Sequence, residues 1–201
     1  AWEVTLEGTE QRDLLVTRPD QPRITTDDLE VAQFIYVLLN HRKLRDVFNT
    51  TTQRGVLILG RFGGGGLDVL RGVADCLRQH GLLPIIFDFE RPRQRNYTET
   101  VVTLAGLCSF VIVDLSGPSV PQELQAIVAA TLRLPLVPIV EEGRKPAAML
   151  TDFQELDYFL GPPIRFDGIS ALVAQIPELA IAPARAWLEQ RRNKLKAIDG
   201  S

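Results

Sequence analysis

Phe110-Val111-Ile112-Val113-Asp114-Leu115-Ser116-Gly117-Pro118-Ser119-Val120-Pro121-Gln122-Glu123-Leu124 decides how this chain is read. Four apolar residues end in an acid. A short loop of Ser, Gly and Pro follows, and Ser119 with Gln122 makes a capping-box pattern that opens a helix. An uninterrupted apolar run is a strand buried on both faces, as in a parallel sheet covered by helices on each side. Such sheets bind ligands at the carboxyl ends of their strands. Asp114 sits at that edge and Glu123 near the start of the next helix, so these two acids are the candidate chemical groups.

The pattern repeats on both sides of this stretch. Val56-Leu57-Ile58-Leu59 is an apolar strand ended by Gly60. A helix from Leu67 to His80 stops at Gly81, and a second strand runs from Leu83 to Phe87 and ends at Asp88. After a basic loop, Asn96 and Glu99 cap a helix that runs to Leu107. A strand over Leu136–Val140, a helix over Pro146–Leu160, a short strand at Ile164–Phe166 and a last helix over about 169–192 complete the alternation. Upstream, residues 1–24 read as a polar arm or linker. Residues 25–52 read as a helical appendage with an apolar stripe through Leu29, Phe34, Leu38 and Phe48, capped by Thr25 or Thr26. Residues 53–193 form the α/β domain, and 194–201 a tail. The chain begins in a polar stretch without an initiator Met, which suggests a piece of a longer protein.

Of the 201 residues, 45% are hydrophobic and 23% charged, enough apolar mass for a core. The net charge of −3 argues against a general nucleic-acid binder. Cys76 and Cys108 lie among apolar residues and read as core. His41 and His80 fit no Cys/His metal spacing, so no metal is expected. No apolar run is long enough to cross a bilayer, and no signal peptide opens the chain; a cytoplasmic protein is the expectation.

Two motif readings fail. Gly60 and Gly65 have the spacing of a phosphate loop, but Gly66-Leu67 follows where Lys and Ser/Thr are required. A dinucleotide fingerprint starting at Gly63 would need a third glycine where Asp68 stands. The segment Arg61-Phe62-Gly63-Gly64 is then either a tight turn or a loop that lets a ligand reach the backbone beside a helix N-terminus. Asp114 either orients a ribose diol or caps the loop amides after it. Glu123 either satisfies the helix dipole or acts as a carboxylate at a sugar carbon while a glycosidic bond breaks. Arg91, Arg93 and Arg95 are a phosphate-binding loop or a solvated one, and Tyr97 stacks on a base or packs on that loop.

Five strands in this alternation fit a flavodoxin-like sheet of order 2-1-3-4-5, whose crevice lies above strands 1 and 3. The order of features over about residues 54–168 resembles the TIR domain superfamily: a strand ending Phe87-Asp88, a basic loop at 90–97, then Phe110–Val113 and a helix opening with Glu123-Leu124. The same region is similar to nucleoside deoxyribosyltransferase-like proteins. The resemblance implies a flavodoxin-like fold, with residues 89–97 as the BB loop. It also implies that Glu123 cleaves an N-glycosidic bond, with NAD as the expected substrate rather than a bound cofactor. Ser119–Gln122 stands where TIR enzymes carry a Trp-Cys pair. On this reading Glu123 and Asp114 are the catalytic pair, with Asp114 holding the ribose. Arg61, Phe62, Gly63, Gly64, Asp88, Arg91, Tyr97, Ser116 and Ser119 surround the substrate. The protein would self-associate as an effector in bacterial defence or signalling. The alternative is a self-association or nucleotide-sensing module without turnover.

Overall fold

Val56, Leu57, Ile58 and Leu59 are all completely buried, as a strand covered on both faces requires. They belong to β3 (Gly55–Leu59), the centre of the fold. The structure is a computed structural model that describes residues 14–17, 24–60, 64–86, 97–116, 125, 127, 133–145 and 153–199. The chain forms two compact units, Ala1–Asn49 and Thr50–Ser201.

In the first unit, β1 (Leu14–Leu15) pairs antiparallel with β2 (Thr25–Thr26), so the segment expected as a polar arm or linker carries one strand of a small ladder. The expected single helix is two: α1 (Leu29–Asn40) and α2 (Arg42–Arg54), the last five residues of which belong to the second unit. Between them His41 takes an extended conformation, with φ −105° and ψ 98°. The cap of α1 is Asp28 rather than a threonine; its carboxylate accepts from the Val31 N–H at 3.0 Å. An acid there also suits the positive end of the helix dipole.

In the second unit β3 is joined by β4 (Leu83–Ile86), β5 (Phe110–Asp114), β6 (Leu136–Glu141) and β7 (Ile164–Phe166) in a parallel sheet of order β4-β3-β5-β6-β7. Relabelled within the sheet, this is the expected 2-1-3-4-5. Alternate residues feed two cores. On one face Val56, Ile58, Phe110 and Ile112 pack with Leu70, Val73 and Leu77 of α3 (Gly66–Gln79) and with Leu172 and Ile176 of α5 (Ile169–Ile176). On the other, Leu57, Leu59, Val111 and Val113 pack with Val101 and Ala105 of α4 (Tyr97–Gly106) and with Ile127. Each such side chain contributes about 1.5–3 kcal/mol on removal from water.

Two expectations are corrected here. The expected helix over 146–160 is, in its described part, Phe153 followed by turns. Phe159 bridges to Leu136, and the Leu136 N–H donates to Tyr158 O at 2.7 Å. The Leu160 N–H donates back to Leu136 O at 2.8 Å, so the segment spends its backbone groups on the sheet rather than on a helix. The last helix is interrupted: α5 ends at Ile176, a π-helical turn covers Pro177–Ile181, and α6 (Ala182–Asp199) extends through most of the expected tail. Pro177 has no N–H to offer Val173 O one turn back. The Cys76 thiol of α3 donates to that carbonyl instead, at 3.7 Å.

Candidate functional site

The switch point of the sheet lies between β3 and β5, because the chain leaves β3 for β4 on one side and returns to β5 on the other. Gly60 follows β3 directly. A Cβ there would stand 2.6 Å from a Leu70 methyl and 3.0 Å from the Asp114 Cβ, so only a glycine lets the strand end pass this close to the acid. After it, Gly64 and Gly65 hold φ of +62° and +83°. Both have open space where a side chain would be, and they lead into the first turn of α3. The amides of that turn face the region in which doubly wound folds hold anions.

Asp114 is the last residue of β5, in register with Ile139 of β6, and is fully buried. Its Oδ1 accepts from the Ser116 N–H at 2.9 Å and from the Ser116 hydroxyl at 2.5 Å. The Ser116 oxygen in turn accepts from the Glu141 N–H at 2.8 Å. The Leu115 N–H donates to Ile139 O at 2.9 Å. Strand end, turn and neighbouring strand are thereby tied into one polar knot, in the Asx-type geometry that a short acid adopts at a turn. Of the two roles open to Asp114 in the sequence, the hydrogen bonds fill that of cap to its own loop.

The structure thus brings together Asp114 and Ser116 from the expected set and places Gly64 on the facing loop. Tyr97 is the first residue of α4. Arg61, Phe62, Gly63, Asp88, Arg91, Ser119 and Glu123 lie outside the described residues; beyond the loop, Gln125 and Ile127 are helical. Two participants escaped sequence reasoning. Gly60 had a signal, a glycine closing an apolar strand. The Glu141 amide had none, because a backbone donor carries no residue preference. Among the described residues no three His, Cys, Asp or Glu side chains converge as metal ligands would.

No family model and no curated protein matches the sequence. Solved structures do match. Rubredoxin oxygen:oxidoreductase from Desulfovibrio gigas aligns with a TM-score of 0.50 at 15% identity, over 80% of this chain and 41% of that longer one. A flavodoxin-like domain from Synechococcus aligns at 0.46 with 21% identity, over 67% and 99% of the two chains. A CMP N-glycosidase from Clostridium botulinum aligns at 0.48 with 11% identity, over 61% and 97%. Identities this low speak to architecture. The strand order, with the alignment at 0.50, assigns the chain a flavodoxin-like α/β fold.

Proposed function

We propose that this chain hydrolyses the N-glycosidic bond of a nucleotide, with NAD as the substrate and Glu123 as the carboxylate facing the ribosyl carbon. The observation that supports the reading is the buried Asp114 at the carboxyl edge of β5, across from Gly60, holding the turn from which the Glu123 segment departs. Asp114 then serves as a positioning residue: it fixes Ser116, and Ser116 fixes the start of the loop toward Glu123. As the bond between ribose and the nicotinamide nitrogen breaks, positive charge grows on the sugar, and a fixed carboxylate stabilises it. Water adds to that carbon, neutral nicotinamide leaves with the bonding pair, and one proton is released. Backbone amides at the start of α3 would receive the phosphates. Self-association and a role in bacterial defence or signalling belong to the same proposal.

The test is base release by the purified protein at high concentration from NAD, from nucleosides and from nucleoside monophosphates. Nicotinamide release in the wild type and its loss in Glu123→Gln are expected. No base released from any of them would end the reading. The second reading, a nucleotide-sensing or self-association module, is favoured by one observation: the Asp114 carboxylate is engaged by its own loop. It predicts saturable nucleotide binding with no base released.

A further inference from the structure

At the opposite edge of the sheet, three residues before the amino end of β6, Arg133 stands at φ +45°, the only non-glycine among the described residues with positive φ. Such a conformation is costly for a residue with a side chain and persists where surrounding structure holds it. Here the hold is visible. Arg191 of α6 donates from Nη1 to Arg133 O at 2.9 Å, and its guanidinium lies over the Trp187 ring, 5.4 Å from the centroid. The Trp187 Nε1–H donates to Asp157 O at 2.8 Å, and Arg133 Nη2 donates to both Asp157 carboxylate oxygens at 3.0 and 2.8 Å. These groups, with Gln190 and Lys194, line a cavity of about 190 Å³.

The charge count of this cavity is unusual for a chain of net charge −3. Arg133, Arg191 and Lys194 face one acid, Asp157. Stability does not ask for this arrangement: the exposed Arg133–Asp157 ion pair adds little, and the strained backbone at Arg133 subtracts. An anion of two negative charges would balance the excess. The guanidinium of Arg191 is already oriented by Trp187 and by a backbone carbonyl, so little freedom is left to lose on binding.

We infer that this cavity is a phosphate-binding site, separate from the switch point, in which Arg133, Arg191 and Lys194 hold the oxyanion and Gln190 adds a neutral donor. The ligand is either inorganic phosphate or the phosphate of a nucleotide. Trp187 has its face covered by Arg191, so recognition is of the phosphate rather than of a base.

The experiment titrates the full chain with inorganic phosphate and, separately, with adenosine monophosphate, against sodium chloride of matched ionic strength, reading the melting temperature. Lys194→Gln is the diagnostic variant, because it removes a cation without touching the Arg133–Asp157–Trp187–Arg191 bonds. A saturable rise in the wild type is expected, with a roughly tenfold weaker midpoint in Lys194→Gln. Unaltered melting of that variant in phosphate-free buffer is also expected. Tighter binding of the nucleotide assigns a nucleotide phosphate, and equal midpoints assign inorganic phosphate. A wild type that phosphate does not stabilise beyond chloride overturns the inference. So does an equal rise in Lys194→Gln, which would move the ion to another site such as the Gly64–Gly65 turn. Neither outcome bears on base release, so the glycosidase reading stands or falls separately.

Discussion

The Ser116 hydroxyl joins two strands: it accepts the Glu141 N–H at 2.8 Å while donating to Asp114 Oδ1. A buried hydroxyl with both capacities used cannot be deleted quietly. In Ser116→Ala the Glu141 amide loses its acceptor and the Asp114 carboxylate one donor. The expected cost is about 1–3 kcal/mol, read from urea denaturation midpoints. A change near zero would show that water replaces the hydroxyl.

Gly60 and Gly64 separate two causes of glycine preference. Gly60→Ala places a methyl 2.6 Å from Leu70 and 3.0 Å from Asp114 Cβ, an overpacking expected to cost about 1–3 kcal/mol. Gly64→Ala meets open space but keeps φ +62°, so its expected cost is the left-handed penalty of about 1–2 kcal/mol. Only Gly60→Ala should also disturb the Asp114 turn. Comparing the two variants by hydrogen exchange of the Ser116 and Glu141 amides checks this.

The sheet was legible because its strands are apolar on both faces. Val56–Leu59, Phe110–Val113 and Leu136–Val140 carry no polar interruption, and Gly60, Gly81 and Asp114 punctuate them where the chain turns. The helix expected over 146–160 fails where hydrogen bonds to the sheet replace the local pattern. Phe153, Leu156, Phe159 and Leu160 have helical spacing, yet Tyr158 O and the Leu160 N–H are taken by Leu136. His41 breaks the N-terminal helix with neither Gly nor Pro to announce it. At the site, Asp114 and Ser116 were visible as a strand-end acid and a loop hydroxyl. Their mutual bond was not, because Asp-x-Ser reads equally well as a ligand-binding pair and as a turn.

Burial pushes the Cys108 thiol up to about 12, from an ordinary value of 9.0, and raises Cys76 as well. The folded state therefore keeps the Cys108 proton between about pH 9 and 12, where the unfolded chain has given it up. Fewer protons bound in the unfolded state means that stability falls as pH rises through this window and is fully present below it. Urea midpoints across the window should fall less steeply for Cys108→Ala than for the wild type. Native protein at mildly alkaline pH should also resist alkylation at Cys108, with labelling appearing on addition of denaturant. Rapid native labelling would contradict the buried placement.

Asp114 offers the sharpest separation of anchoring from chemistry. Asp114→Ala removes the acceptor for both the Ser116 N–H and its hydroxyl, in a site with no exposure. The expected loss is about 1–3 kcal/mol or more in stability. Asp114→Asn keeps an oxygen where Oδ1 stands and should recover most of that stability. If Asp114 acts by holding the loop toward Glu123, base release should recover in parallel: near wild type in Asp114→Asn, strongly reduced in Asp114→Ala. In base release, though not in stability, Ser116→Ala should then resemble Asp114→Asn, because the Asp114 carboxylate still accepts the Ser116 N–H. A different pattern assigns a different role. An Asp114→Asn protein that melts like wild type yet releases no base would mean that the charge itself serves the developing cation, and the anchoring role would be insufficient. Melting temperature and base release measured on the same three samples decide between them.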